Sequence, residues 1–410
     1  MRHDADILIV GGGLNGPLLA LALALAGTGL RVSVLDALEV APRASAGFDG
    51  RSYALALASV RMLQALGLWE ALAGEAQPIL RVEAADARPG EAPSPLALAL
   101  DHAEIEEGPL GHMVEDRHLR RLLLQAMAEA EGVTHLPGAE VVAQAVDPHG
   151  VTLELADGQV LTGRLLVGCD GRDSGVARRA GIRRVAWGYG QVALVCAVAH
   201  ARPHEGVARQ LFLPAGPVAL LPLTGDRSSV VWTERTAAAE AIGRLDDAGY
   251  LAALQARIGG VLGALQLEGG RWQYPLGLSL AQDFVADRVV LVGDAAHGIH
   301  PIAGQGLNLG FRDVAALAEV LTEAARRGED IAAAPVLARY GQWRRFDAVS
   351  MALATDGFNR LFSNDIGVVR MARDLGMAAA GAVPAVRRFF MREAAGLRGT
   401  LPRLMQGRAI

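Results

Sequence analysis

Residues 288–313, RVVLVGDAAHGIHPIAGQGLNLGFRD, gather two acids, two histidines and several glycines into one passage. An apolar run, Val289–Val292, predicts a strand ending at Gly293-Asp294. A short loop, His297–Pro301, then leads through Gly304-Gln305-Gly306 into a helix. A carboxylate at a strand's end can hold polyol hydroxyls. The first turn of a helix aims free backbone N–H groups at an anion or an electron-rich ring. Taken alone, the passage is a glycine-rich turn before a helix.

Two further turns carry chemistry of the same kind. Residues 5–10, ADILIV, predict a buried parallel strand. Gly11-Gly12-Gly13-Leu14-Asn15-Gly16 follows, then an apolar helix to Ala26 and a strand, Arg31–Leu35, ending at Asp36. In this G-x-G-x-x-G arrangement Gly11 permits the tight turn, Gly13 lets backbone approach a pyrophosphate, and Gly16 allows helix and strand to pack closely. Asp36 stands where an acid accepts hydrogen bonds from ribose hydroxyls. The pattern predicts a dinucleotide site without choosing between FAD and NAD. The other turn, Gly168-Cys169-Asp170-Gly171-Arg172-Asp173-Ser174, ends a predicted three-strand meander. Its strands are Glu140–Val146, Val151–Ala156 and Val160–Val167, with a hairpin at Asp157-Gly158. By itself it is one more Asp-Gly turn.

Composition narrows the chemistry. At 410 residues the chain is long enough for two intermixed domains, and its Ala- and Leu-rich half-apolar make-up suits a helix-rich α/β protein. All 39 basic residues are arginine, which excludes Schiff-base chemistry, a P-loop phosphate clamp and lysine-dependent halogenation. A net charge of −5 without a basic-aromatic platform argues against nucleic acid. Two cysteines, Cys169 and Cys196, are too few for a disulfide framework or a metal site, which predicts a reducing, cytoplasmic compartment. The apolar stretch 17–26 is too short to span a bilayer and follows a strand and a glycine turn, so it is expected as a buried helix rather than a signal peptide.

The passage 288–313 resembles the second flavin motif of the FAD-dependent aromatic monooxygenases, and the three turns occur in the order and spacing of that family. The resemblance implies FAD as cofactor. It puts Gly11, Gly12, Gly13, Asn15, Gly16 and Asp36 on the ADP half, Asp170 in the middle motif, and Gly293 and Asp294 at the ribitol. Pro301, Gly304, Gln305, Gly306, Leu307 and Asn308 would border the flavin ring, with the helix N-terminus facing its N1/O2 edge. By the same resemblance Arg51, in Asp49-Gly50-Arg51 before a helix Ala54–Leu66, lies close to the flavin. Arg117, opening a helix Arg117–Ala130, reaches the pyrophosphate; for either arginine alone, a solvated helix face is the plainer alternative.

Residues 187–222, the run His300–Gly306 and the tail Thr355-Asp356-Gly357 with Arg360–Asn364 are similar to the ubiquinone-biosynthesis hydroxylases, a branch of the group A flavin monooxygenases. The function so implied is hydroxylation of the aromatic ring of a polyprenylated phenol through a C4a-hydroperoxyflavin. O2 and NAD(P)H or another electron donor would be co-substrates, and other subunits of a ubiquinone-biosynthesis complex are candidate partners. No second G-x-G-x-x-G is present, so a nicotinamide would dock only transiently. His300, Pro301 and Gln305 are the candidates for the reacting centre. His300 either assists phenol deprotonation or, the preferred alternative, is a turn histidine bonded to backbone. His297 is expected to be structural, and Gln305 a flavin-edge residue. Rival functions are an FAD-dependent hydroxylase of a small soluble phenol and a non-catalytic FAD-binding subunit.

The expected fold is α/β: a Rossmann-like, three-layer FAD-binding domain with its meander (1–75, 100–182 and 276–345), interleaved with a mixed-sheet substrate domain (76–99 and 183–275). C-terminal helices fill 346–410, and Arg88–Pro95 is a turn-rich excursion between strands. From Pro384 onward, arginines 387, 388, 392, 398, 403 and 408 stand against Glu393 alone, interleaved with Phe389, Phe390, Met391, Leu397, Leu401, Leu404 and Met405. Residues 384–410 are either a peripheral contact with anionic lipid on the inner face of the cytoplasmic membrane, a helix packed on the enzyme, or a dock for a partner subunit.

Overall fold

The computed structural model describes residues 3–40, 47–91, 94–300, 304–364 and 366–410. Its first layer is a six-stranded sheet in the order 285–286, 289–291, 165–168, 7–10, 32–36 and 133–137, parallel except for the short edge strand 285–286. Continuous apolar runs form these strands because both faces are covered. On Ile7–Val10, the Leu8 side chain lies over Gly163 of the meander, while that of Ile9 lies over Gly16 of the helix Asn15–Leu25. Neighbouring residues of a strand point to opposite faces, so the meander covers one side of the sheet and the helix the other. Pro17 through Leu23 are buried, as the unbroken apolar sequence of that helix requires.

The meander is Val141–Asp147, Gly150–Leu155 and Val160–Gly163. The expected third strand, 160–167, is two strands: after Gly163 the chain crosses to the parallel sheet and runs as Leu165–Gly168 beside Ile7–Val10. Gly163 packs where a Cβ would stand 2.8 Å from Leu8, so the crossing is made at a point of close layer contact. The expected helix 54–66 begins later, at Leu57, because Ser52–Ala56 pairs with Gly111–Glu115 in a small three-stranded sheet completed by Gln77–Ile79.

The second layer is an eight-stranded sheet in the order 297–298, 265–281, 184–200, 227–235, 216–223, 207–213, 81–86 and 98–101. Its middle is two 17-residue strands, Arg184–His200 and Leu265–Ala281, paired antiparallel. Trp232, Leu194, Cys196 and Val230 form its core with Tyr250 and Leu254 of the covering helix Asp247–Ile258. The sheet extends to Asp101 and Ala281, a few residues past the expected boundaries.

One helix belongs to both layers. Ala334–Phe362, 29 residues and roughly 43 Å long at 1.5 Å per residue, runs unbroken through the expected boundary at 345/346. Near its start Tyr340 donates to the carbonyl of Leu291 in the first sheet (2.8 Å). At its far end Asn359 donates to Gln191 in the second sheet (2.9 Å), and the Phe362 ring packs tilted against Phe212, their centroids 4.0 Å apart. Arg184 adds a cross-tie, donating to Ser279 and to the carbonyls of Asp294 and Ala295.

The C-terminal segment folds back onto the body. In Pro384–Ala394, Arg387 meets Glu104 (2.9 Å) and Arg392 meets Glu107 (3.1 Å). Beyond it, Arg398 lies over Phe389 and 3.8 Å from Glu393, Arg403 engages Glu319 and Glu323, and Leu404 and Met405 are buried. The segment 384–410 packs on the body of the enzyme, with four of its six arginines held by carboxylates of the same chain. Among the described residues no helix is long and apolar enough to cross a membrane.

The preceding helix, Gly367–Ala382, is fastened by Asp86, a buried acid at the end of the strand Arg81–Asp86 that accepts from Arg370 (2.9 Å) and Arg373 (3.0 Å). Asp86→Ala leaves the buried Arg373 uncompensated, a loss of about 3–5 kcal/mol. The expected outcome is faster amide hydrogen exchange confined to 367–382 while both sheets keep their protection.

Candidate functional site

At the first glycine turn three positions are closed by packing and one is open. Gly11 has φ of +119°, and a Cβ there would stand 2.3 Å from the Cys169 carbonyl oxygen. A Cβ on Gly12 would stand 2.3 Å from the Asp36 carboxylate, and one on Gly16 would stand 2.1 Å from the Gly11 carbonyl oxygen. Nothing lies within 4 Å of the Cβ position on Gly13. The open residue adjoins the start of Asn15–Leu25, where no side chain caps the helix amides. Uncapped amides beside an open glycine form a cradle for a diphosphate. Asp36 is buried at the next strand's end, where its Oδ1 accepts from the Leu38 amide (3.1 Å).

The other two turns pack on this one. The backbone of Cys169-Asp170 lies against Gly11, but the Asp170 carboxylate is turned away from it. It accepts from Ser174 Oγ (2.5 Å) and the Val176 amide (3.0 Å), because the first amides of the short helix Gly175–Arg179 need acceptors. Asp170 therefore contributes backbone to the turn cluster, and its side chain serves as a cap. Gly293 has φ of +63°, and a Cβ there would stand 2.2 Å from Asn15 Nδ2; Gly310 is pressed on the same amide. Asn15 thus sits between the first and third motifs, with its Oδ1 buried and without a hydrogen-bond partner. The Asp294 side chain is 47% exposed, 3.7 Å from Arg172 Nε.

Pro301 lies outside the described residues. Gly304, with φ of +62°, is the N-cap of Gln305–Arg326, and Gly306 has open space at its Cβ position. Leu307 is half-buried against the main core, and Gln305 lines a small cavity with Ser59, Met351 and Arg398. Asn308, expected at the flavin, has no polar capacity left. Its Oδ1 accepts from the Ala56 amide and Ser59 Oγ (2.8 Å each), and its Nδ2 donates to the carbonyls of Ala54 (2.8 Å) and Gly304 (3.1 Å). It binds the helix start to the strand Ser52–Ala56 instead. Arg51 lies on Asp49 (2.6 Å), 3.6 Å from Asp116 and over the Trp272 ring. Arg117 lies on Glu115 (2.7 Å) and over Phe48. Both guanidiniums are held by acids from adjacent chain.

Beneath the third motif runs a buried ionic chain that the sequence did not reveal. Asp313 Oδ2 accepts from the Gly293 amide (3.0 Å) and from His297 Nε2 (2.5 Å), and its Oδ1 from Arg344 Nε (2.7 Å); Arg344 continues to Asp347 (2.7 Å). An ionised carboxylate only accepts, so Nε2 of His297 carries the proton. Asp313, His297 and Arg344 are all buried. Burial raises the Asp313 carboxyl, but His297 and Arg344 outweigh it and hold the group below the usual carboxylate range. An acid on the core side of an apolar helix, between Phe311 and Val314, was the available signal; Arg344, within Trp343-Arg344-Arg345, gave none.

His300 is buried, and neither ring nitrogen has a hydrogen-bond partner. The expected bond to backbone is not formed, because the ring turns edge-on to Tyr189 at 5.3 Å instead. Burial and the nearby Arg172 push its pKa down to about 4, against the pull of Asp356, so the imidazole is neutral at physiological pH. Asp356 also accepts from Trp187 Nε1 (3.2 Å), and Gln191 is fixed by Asn359. Trp187, Tyr189 and Gln191 come from one strand of the second sheet, Asp356 and Asn359 from the long shared helix. This gathering of an unbonded imidazole, aromatic walls and one acid lies where the two layers meet.

The FAD binding domain model matches residues 4–352. The ubiquinone hydroxylase UbiL of Rhodospirillum rubrum is 46% identical over 98% of this chain and 93% of its own length. The 3-demethoxyubiquinol 3-hydroxylase of Escherichia coli is 37% identical over 97% of this chain and all of its own. Among solved structures, the p-nitrophenol 4-monooxygenase PnpA of Pseudomonas putida superposes with a TM-score of 0.79 over 98% of this chain and 100% of its own, at 21% identity, a likeness of fold alone.

The packing distinguishes two glycine substitutions. Gly13→Ala is expected to fold normally and lose bound flavin, read from the visible absorbance of the purified protein. Gly16→Ala is expected to lose the fold itself by about 1–3 kcal/mol or more. The lowered Asp313 pKa carries a sign as well. Its stabilisation is fully present above the unfolded-chain value of about 3.9 and is lost as pH falls through the lower, folded value. Asp313→Asn is expected to cost about 3–5 kcal/mol at pH 7, with the gap to wild type closing below about pH 4 in denaturant titrations.

Proposed function

The chain belongs to the FAD binding domain family, and from that premise we propose that it hydroxylates the aromatic ring of a polyprenylated phenol in ubiquinone biosynthesis, using O2 and an external electron donor. The observation that carries this reading is full-length similarity to two ubiquinone-pathway hydroxylases, spanning the substrate sheet and the shared helix as well as the glycine turns. A polyprenylated substrate resides in lipid, so the enzyme is read as a cytoplasmic protein working at a membrane's edge.

The residues present fit FAD. Open Gly13 and the uncapped start of Asn15–Leu25 suit its diphosphate, Asp36 the ribose, half-exposed Asp294 the ribitol, and the start of Gln305–Arg326 the ring's electron-rich edge. When bound, FAD supplies the oxygen-activating redox chemistry. What remains for the protein is to orient the phenol, exclude water and hold a proton in place.

His300 is the residue proposed to meet the ring hydroxyl. With a pKa near 4 it is a poor base for a phenol: taking the proton outright from a group near 10 would cost about 8 kcal/mol. It serves better as a hydrogen-bond acceptor that orients the ring and draws electron density toward the carbon para or ortho to the hydroxyl. Trp187 and Tyr189 wall the ring, and Asp356 fixes Trp187.

Two measurements test these assignments. Quinone profiling of a deletion strain should show a polyprenyl-phenol lacking one hydroxyl, reversed on restoring the gene; unchanged ubiquinone, with no paralogue present, would sink the substrate. His300→Ala should lower kcat/KM about five- to tenfold, one hydrogen bond's worth, with flavin content unchanged. The wild-type rate should show no inflection at the ordinary histidine value near 6.5, and an inflection that the substitution abolished would refute the acceptor role.

A further inference from the structure

The buried ionic chain beneath the third motif does not end at Asp347. Arg312, the residue before Asp313 on the helix Gln305–Arg326, reaches the same Asp347 oxygen that accepts from Arg344, at 3.4 Å against 2.7 Å. Acid and guanidinium thus alternate outward from the Gly293 amide, in the order Asp313, Arg344, Asp347 and Arg312. Burial and the neighbouring Arg344 work against the charge on Arg312, while Asp347 and Glu393 favour it. Its second amino group is taken by C-terminal backbone, donating to the carbonyls of Gly396 (3.0 Å) and Arg398 (2.6 Å). Gly399, with φ of +78°, lays that backbone against the pair, its Cβ position 3.9 Å from Asp347 Oδ1 and 4.0 Å from Arg312 Nη1.

A second line runs from the same segment to the start of the same helix. The Ala395 carbonyl accepts from the Ala58 amide (3.0 Å), and the next residue, Ser59, donates to Asn308 in the first turn of Gln305–Arg326. Residues 395–405 therefore form a strap. Beyond the contacts with Arg312, Trp343 donates to the Thr400 carbonyl (3.0 Å), the Arg403 amide donates to Glu319 (2.7 Å), and Leu404 and Met405 are buried. Because that core anchors the far end, the near end, 395–400, is the part able to detach alone. Detachment strips Arg312 of two acceptors. The guanidinium stays charged, so it draws on Asp347 in competition with Arg344. The hold of Arg344 on Asp313 changes in turn, and with it the acceptor of the Gly293 amide.

We propose that Arg312 is a positioning residue of the cofactor site, through which the docked strap 395–400 and FAD bound at the Gly293-Asp294 turn favour one another. The inference rests on FAD lying at that turn and is independent of the phenol substrate. Such coupling is reciprocal, so it has two readouts besides turnover. Trypsin cleavage after Arg398, whose side chain is 41% exposed, reports release of the strap. Flavin fluorescence on dilution of the holoenzyme reports the FAD Kd. In wild type, added FAD should slow strap cleavage about tenfold. Arg312→Gln should raise the Kd about tenfold and abolish the FAD dependence of cleavage, and Arg312→Lys, which keeps the charge, should fall between. Gly399→Val forces a β-branched residue to positive φ. It disturbs the strap without altering the ion chain, and should speed cleavage and weaken FAD together. FAD that protects the strap of Arg312→Gln as well as that of wild type would overturn the proposal, since protection would then be a general gain in stability. So would a wild-type strap indifferent to FAD, or Gly399→Val that is cleaved faster yet keeps the wild-type Kd. Asp294→Ala that binds FAD as wild type does would retire the ribitol contact and leave the coupling, which acts through the Gly293 amide.

Discussion

Asp313 has a single carboxylate and three donors: the amide that makes the Gly293 turn, the ring of His297 and the guanidinium of Arg344. It is shut away from water, so each donor it loses would leave a polar group with no substitute. The turn carrying Asp294, the loop leading to His300 and the long shared helix therefore share one anchor. Asn15 presses on Gly293 from the other side, which makes the first glycine turn dependent on the same point. A buried ion chain of this kind contributes little net stability. What it fixes is geometry, since none of the three elements can shift without stranding a charge.

The second dependency is the seam between the layers. Arg184, on a strand of the second sheet, donates to carbonyls of the turn that bears Asp294, and the helix Ala334–Phe362 bonds to one sheet at Tyr340 and the other at Asn359. The unbonded imidazole of His300 lies where these ties converge. A polar ring without a partner costs free energy that the surroundings must bear, and such a cost is tolerated where a ligand is to supply the missing bond.

Glycine spacing made the first layer legible, because each glycine answers a steric demand that the sequence states directly: Gly11 a positive φ, Gly16 a close approach, Gly13 an opening. Side-chain roles were less legible. Asp170 and Asn308 have the residue types of ligand contacts, yet helix amides and strand carbonyls claimed them first. Local backbone demand of this kind does not appear in a motif. The ion chain was hidden for another reason: Asp313 and Arg344 lie 31 positions apart, and only the packing of two helices joins them. Basic charge counted along the tail suggested a lipid contact, but a count cannot show that Glu104, Glu107 and Glu319 already face those arginines.

The long helix bears on how such a chain can change over generations. Because one rod supplies Arg344 to the Asp313 anchor and Asp356 and Asn359 to the second sheet, the two layers are not separable cassettes. Recombination that swapped the second sheet would import a foreign half-helix or sever the native one, and either would unseat Asp313. Change in this architecture is accordingly open to point replacement along the last turns of the rod and the strand it faces, and closed to the exchange of whole modules.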